Sequence, residues 1–238
     1  MKILNIAGYQ FVELSELTAW WETLLAFCQT NEIKGTIILS PEGINLNLAG
    51  IESNLHQLTD YLTSFPEFAQ MQFKRSYSDN IPFKRLRVKI KRELTPVKQP
   101  GITLSYQPKY VSPKQLKAWL AEGKATLVDT RNQFEYQLGT FDNAIDLNME
   151  NFNEFPEAIK QLDPSLKKRP VVIFCTGGIR CEKAAPIMEQ QGFSEVYQLH
   201  GGILDYFADC GDAHFHGSCF VFDQRVALNS NLQQCDQV

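Results

Sequence analysis

VVIFCTGGIRCEKAA, residues 171–185, decides how the second half of the chain folds. Four apolar residues in a row, Val171 to Phe174, read as a strand buried on both faces, as in a parallel sheet. Cys175 closes that strand, and Gly177-Gly178 turns the chain into a helix-forming stretch. That order puts a thiol at the carboxyl end of a strand, where open α/β sheets hold their ligands. In the loop Cys175-Thr176-Gly177-Gly178-Ile179-Arg180, the glycines permit backbone angles closed to other residues. Successive loop N–H groups can then face inward as an anion nest. The helix N-terminus adds partial positive charge and Arg180 adds a full one. All three favour thiolate over thiol, so Cys175 is expected to have a lowered pKa and to be reactive. A buried cysteine beside a structural turn is the blander reading, and a structural turn rarely needs Gly-Gly and Arg together. Cys181, six residues on, either resolves an oxidised Cys175 as a disulfide or packs inward as a small residue at the helix start. Pro186 predicts a kink, or a helix whose regular part starts late.

Around this stretch, strand and helix patterns alternate, which favours a parallel sheet. Thr126–Asp129 and Glu195–Leu199 read as further strands, and Ser112-Pro113 as a helix start with proline at the first helical position. Asp129 stands at a second strand end; with Arg131 it reads as an ion pair supporting the pocket. Glu135 reads as structural, and His200 as either a general acid or a satisfied loop histidine. Residues 112–210 form the expected catalytic domain and 211–238 a C-terminal extension. Residues 96–111, with Pro96, Pro100, Gly101 and Pro108, read as a linker.

Residues 1–95 carry a different order: strand, helix, strand, strand, helix, strand. Residues 3–12 and Gly35–Ser40 read as strands, and Ile44, Leu46 and Leu48 alternate with Asn45 and Asn47 in another. Leu17, Trp20, Trp21, Leu24, Leu25 and Cys28 follow the helical period behind a Ser15 cap, and Ile51, Leu55, Leu58, Tyr61 and Leu62 form a second stripe. From Arg85 to Lys91 basic and apolar residues alternate. Period two puts Leu86, Val88 and Ile90 on the core face and Arg85, Arg87, Lys89 and Lys91 on the other. The order predicts a ferredoxin-like α+β sandwich with one basic strand face.

The chain has 238 residues and a net charge of −4, which by itself argues against a nucleic-acid partner. Between Lys74 and Lys98, however, nine basic residues face only Asp79 and Glu93, so that window nets +7 and the remainder −11. A basic stripe on an acidic body points to a polyanion. A solvated strand face is the bland alternative. No apolar run reaches the roughly 20 residues that span a bilayer. The N-terminus lacks a signal-peptide layout, so the cytoplasm is the expected location. Six cysteines without a C-x-x-C pair predict neither a disulfide framework nor a metal site.

Val128-Asp129-Thr130-Arg131 with Glu135-Tyr136 and Gly139, the Cys175–Arg180 loop, and His200-Gly201-Gly202-Ile203 together resemble the rhodanese family. Members use the loop cysteine as a persulfide or in other thiol chemistry. Related dual-specificity phosphatases use C-x5-R; this chain has C-x4-R, which disfavours a phosphatase. Ser40-Pro41-Glu42-Gly43-Ile44-Asn45, the stretch Cys175–Ala184, and Gly217-Ser218-Cys219-Phe220-Val221-Phe222-Asp223-Gln224-Arg225-Val226 extend the likeness to nearly the whole chain. They resemble the bacterial tRNA uridine hydroxylases that carry a rhodanese domain. That resemblance implies an acylphosphatase-like first domain that contacts tRNA through its anticodon loop. It implies conversion of the wobble uridine, position 34, to 5-hydroxyuridine by molecular oxygen, with no established cofactor and an unknown electron donor. It makes Cys175 the catalytic cysteine. Thiolate addition to uracil carbon 6 and an oxidised sulfur as oxygen carrier both remain open as chemistry. The competing reading is a rhodanese-type sulfurtransferase working through a Cys persulfide, which leaves the basic strand unexplained.

Overall fold

The computed structural model describes residues 2–97, 99 and 106–235; Lys98, Pro100 and Gly101 of the sequence reading lie outside them. The chain divides into two compact units. The first comprises Met1–Leu94 with Phe222–Val226, and the second comprises Thr95–Val221 with Ala227–Val238.

The first unit is built from β1 (Ile3–Phe11), α1 (Leu17–Thr30), β2 (Lys34–Ser40), β3 (Gly43–Gly50), α2 (Glu52–Thr63), β4 (Gln72–Ser78) and β5 (Leu86–Ile90). Its sheet order is β4-β1-β3-β2-β5. The first four of these strands are antiparallel, in the ferredoxin-like arrangement, and β5 adds a parallel edge beside β2. Alternation sorts the faces: Leu4, Ile6, Ile37, Leu39, Ile44, Leu46 and Leu48 are buried with Leu24 of α1 and Leu55, Leu58 and Leu62 of α2. The Pro41-Glu42 turn needs a glycine after it: Gly43 has φ +128°, and a Cβ there would lie 2.0 Å from the Gln10 carbonyl oxygen.

Three details differ from the sequence reading. Gln72–Ser78 is a strand that was not anticipated, so the basic stretch is a fifth strand rather than the fourth of the motif. The first helix starts after Glu16, in left-handed conformation at φ 52°, with no side-chain cap. Ile90 is 47% exposed, because it ends an edge strand, whereas Leu86 and Val88 pack against the core and the Trp21 indole N–H donates to the Val88 carbonyl at 2.9 Å.

The second unit holds a parallel sheet in the order β6-β11-β10-β7-β9. These strands are β6 (Lys109–Val111), β7 (Thr126–Asp129), β9 (Ile145–Asp146), β10 (Val171–Phe174) and β11 (Val196–Leu199). Lys109–Val111 thus belongs to the sheet rather than to an unstructured connection. The helices are α3 (Pro113–Ala121), α4 (Gln133–Leu138), α5 (Phe155–Ala158), α6 (Ile179–Gln190) and α7 (Gly202–Cys210). Short pairs complete it: β8 (Gly139–Phe141) with β12 (Phe215–Gly217), and β13 (Cys219–Phe220) with β14 (Ala227–Leu228). All four residues of β10 are buried, which explains its unbroken apolar run. Val171 and Ile173 pack with α6, and Val172 and Phe174 pack with α7 residues Ile203, Tyr206 and Phe207. Helix α6 runs through Pro186 without a break. Among the described residues no helix is long and apolar enough to cross a membrane.

Candidate active site

Strands β7 and β10 lie side by side, with Asp129 opposite Phe174. Thr130 donates to the Phe174 carbonyl from its backbone N–H at 3.0 Å and from its hydroxyl at 2.9 Å. The chain therefore leaves both strands at one place, and Cys175 emerges there. It is 1% exposed. Its Sγ accepts the Gly178 N–H at 3.1 Å, and the Arg180 N–H and the Cys181 thiol also favour its ionised form. Gly178 begins α6 with φ 100°; Gly177 does not share that left-handed conformation. The nest rests on one special backbone angle rather than two.

The start of α7 closes the loop from the other side. Ile203 N–H donates to the Cys175 carbonyl at 3.0 Å and Leu204 N–H to the Thr176 carbonyl at 3.1 Å. This approach requires Gly202: a Cβ there would lie 2.5 Å from the Cys175 carbonyl oxygen and 2.7 Å from that of Thr176. His200 serves the same segment, giving its N–H to the Val111 carbonyl at 2.9 Å, while its ring stands perpendicular to that of Tyr110. Thr176 Oγ1 lies 3.4 Å from both Glu135 Oε1 and the Phe220 carbonyl, and Ile179 is half-buried.

Arg180 does not reach outward. Its Nη1 meets Glu135 Oε2 at 2.6 Å and its Nη2 meets Oε1 at 2.8 Å, and the Glu135 side chain is fully buried. This bidentate pair gives Glu135 a task that the sequence reading missed. Glu135 sits in the first turn of α4, where it also accepts the Asn132 N–H at 3.1 Å. The carboxyl is pushed up by burial, but the Arg180 charge and hydrogen bonds outweigh that and hold it below the usual carboxylate range. Asp129 and Arg131 form a second buried pair, with Nη2–Oδ2 at 2.6 Å. Thr140 Oγ1 donates to Asp129 at 2.9 Å, and Arg131 Nη2 donates to the Gly139 carbonyl at 2.6 Å. These partners all lie within the protein framework, so the pair shapes the wall behind the loop.

The electrostatic outcome is a split between two thiols. Burial pushes Cys175 up. The hydrogen bond from Cys181, the Arg180 charge, and the N–H groups of Arg180 and Gly178 overcome that and hold it well below the ordinary thiol range. Cys181 moves the other way: burial raises it, and the neighbouring Cys175 thiolate raises it further. The surroundings thus favour the ionised form at Cys175 and the neutral thiol at Cys181. Elsewhere burial pushes Cys28 and Cys219 up to about 12. All six cysteines are free. Among the described residues, no group of three or more His, Cys, Asp and Glu side chains could hold a metal ion.

The basic candidates lie in the other unit. Arg85, Arg87, Lys89 and Lys91 are exposed along β5 and its two flanking residues. In register they continue the face of Thr36 and Ile38, opposite the face that α1 and α2 cover. None of the four is in an ion pair among the described residues.

A five-stranded parallel sheet with a cysteine in a C-x4-R loop at its carboxyl edge defines a rhodanese-like domain. Residues 112–209 match the Rhodanese-like domain family, and residues 3–94 match the UPF0176 acylphosphatase like domain. Over 250 aligned residues the chain is 46% identical to the tRNA uridine(34) hydroxylase of Burkholderia vietnamiensis, covering 100% of this chain and 88% of that protein. It is 45% identical to the protein of the same name from Paraburkholderia xenovorans, covering 98% and 85% respectively. The chain belongs to the tRNA uridine(34) hydroxylase family.

The paired charges generate a direct test. Glu135→Gln leaves the Arg180 guanidinium buried without its counter-ion, a change that costs about 3–5 kcal/mol when a buried pair is broken from one side. Urea unfolding is expected to show a loss of that size. A loss under about 1 kcal/mol would mean that the pair does not anchor the loop.

Proposed function

We propose that this chain hydroxylates carbon 5 of the wobble uridine, position 34, of tRNA, giving 5-hydroxyuridine with molecular oxygen as co-substrate. The observation that carries this reading is the 46% identity across the whole of this chain to a tRNA uridine(34) hydroxylase, joined to a loop that favours the ionised form of Cys175. A rhodanese-type sulfurtransferase needs the thiolate alone and gives the first unit no task.

In this reading the substrate presents an unstacked base, as the single-stranded anticodon loop allows. Arg85, Arg87, Lys89 and Lys91 hold phosphates, which supplies affinity without reading sequence. A tRNA substrate puts the enzyme in the cytoplasm. At 1% exposure the Cys175 sulfur is reached only when the loop opens around the entering base. The thiolate adds to carbon 6 of the uracil, and carbon 5 becomes an enolate-like centre that oxygen can attack. The Arg180 and Gly178 N–H groups, which face Sγ before reaction, take the thiolate back when it leaves. Thr176, Gly177, Gly178 and Ile179 form the frame of the loop, and Asp129 and Arg131 its support.

Nucleoside mass spectrometry of tRNA incubated with the protein in air is expected to show 5-hydroxyuridine with the wild type and none with Cys175→Ala. Brisk transfer of sulfur from thiosulfate to cyanide with no such nucleoside would replace this reading with the sulfurtransferase one. The double variant Arg87→Glu/Lys89→Glu is expected to weaken tRNA binding, to lower the slope of log affinity against log salt by about 1.5–2, and to leave kcat nearly unchanged. Unaltered binding would assign tRNA contact to another surface.

A further inference from the structure

Cys181 is a second thiol in the site, and nothing in the reaction so far uses it. It is fully buried, in the same apolar cluster as Cys175. It stands on the first turn of α6, where its own N–H donates to the Gly178 carbonyl at 3.0 Å. Its sulfur lies 3.8 Å from Thr130 Oγ1, and that same hydroxyl donates to the carbonyl of Phe174, the residue next to Cys175. A thiol packed in the same buried cluster as a reactive cysteine, six residues from it across the loop, is placed to exchange with it. The reaction also lacks a component: placing one atom of O2 on carbon 5 and the other in water takes two electrons and two protons. Two thiols becoming a disulfide release that number of each.

We propose that Cys175 and Cys181 together are the electron donor of the hydroxylation, and that each turnover leaves them as a disulfide. This rests on the hydroxylase reading. Thiolate addition makes the Cys175 S–C6 bond, and oxygen bonding at carbon 5 followed by proton uptake gives a hydroperoxide. The Cys181 sulfur attacks its terminal oxygen and breaks the O–O bond. Carbon 5 keeps a hydroxyl, the Cys181 thiol proton passing to that oxygen, and Cys181 becomes a sulfenic acid. Loss of the carbon 5 proton expels the Cys175 thiolate and restores the ring double bond. That thiolate then attacks the Cys181 sulfenic sulfur, releasing hydroxide, which takes up the proton and leaves as water. In sum, uridine, O2 and two thiols give 5-hydroxyuridine, water and one disulfide. An external thiol reductant, a dithiol in the test below, restores the pair.

The test is a single turnover of the full-length, pre-reduced protein with tRNA in air after the reductant has been removed. The expected result is about one 5-hydroxyuridine per protein, matched by one Cys175–Cys181 disulfide in peptides mapped without reduction, with further product only when dithiothreitol is added. Cys181→Ser, checked for folding by circular dichroism, is expected to lose at least tenfold in product under the same conditions. Product from the wild type with no accompanying disulfide, or equal single-turnover yield from Cys181→Ser, would overturn the proposal and leave the hydroxylase reading standing. No 5-hydroxyuridine from the wild type even with dithiothreitol present would overturn both. The wild-type measurement decides the matter even if the variant does not fold.

Discussion

The buried ion pair between Arg180 and Glu135 is the constraint on which the loop depends. A guanidinium and a carboxylate each cost several kcal/mol to take out of water, and only close, fully bonded geometry offsets that. Two parallel hydrogen bonds at 2.6 and 2.8 Å supply such geometry. The pair ties the start of α4 to the start of α6, two elements that follow neighbouring strands. Arg180 cannot turn to solvent without leaving Glu135 uncompensated, so its positive charge stays beside Cys175. The loop N–H groups are aimed at the sulfur by Gly178, and Gly202 lets α7 press its own N–H groups onto the loop carbonyls. With the Cys181 thiol, these fixed groups lower the Cys175 pKa against burial, and no one residue does it alone.

Much of this was legible in sequence because it is local. The four-residue apolar run of β10 announces a strand covered on both faces, and the alternation from Arg85 to Lys91 announces a half-covered one. The cysteine, the glycines and the arginine of the loop lie within six consecutive residues. What was missed is non-local or weak in pattern. Glu135 meets Arg180 across 45 positions, and no spacing rule connects them. Strand β4 reads QFKRSYS, polar enough at a sheet edge to hide its period, and β6 is three residues long behind a proline-rich stretch. Ile90 keeps the alternation of its strand yet lies exposed, because periodicity assigns a face and not the length of cover over it. The segment Phe222–Val226 joins the first unit although it interrupts the second in sequence, and Arg225 reaches Ser76 at 2.7 Å. Only the folded chain could reveal that return.

In the proposed function the two units divide the work along physical lines. Phosphate recognition needs exposed, solvated charge, which the four cations along the β5 edge would supply without a cavity. Thiol chemistry needs the opposite: a dry pocket in which fixed dipoles and one arginine act at short range and with little screening. A single small domain would have to satisfy both demands with one core. Here an α+β sheet presents its open face, a parallel sheet presents its carboxyl edge, and neither compromises the other.

The measurement closest to the central claim is the titration of the Cys175 thiolate by ultraviolet absorbance, as the difference between wild type and Cys175→Ala. The sulfur is expected to be already ionised at neutral pH, with a midpoint well on the acid side of the ordinary thiol value of about 8.5. A midpoint at or above that value would contradict it, since burial would then have prevailed over Arg180, Cys181 and the loop N–H groups.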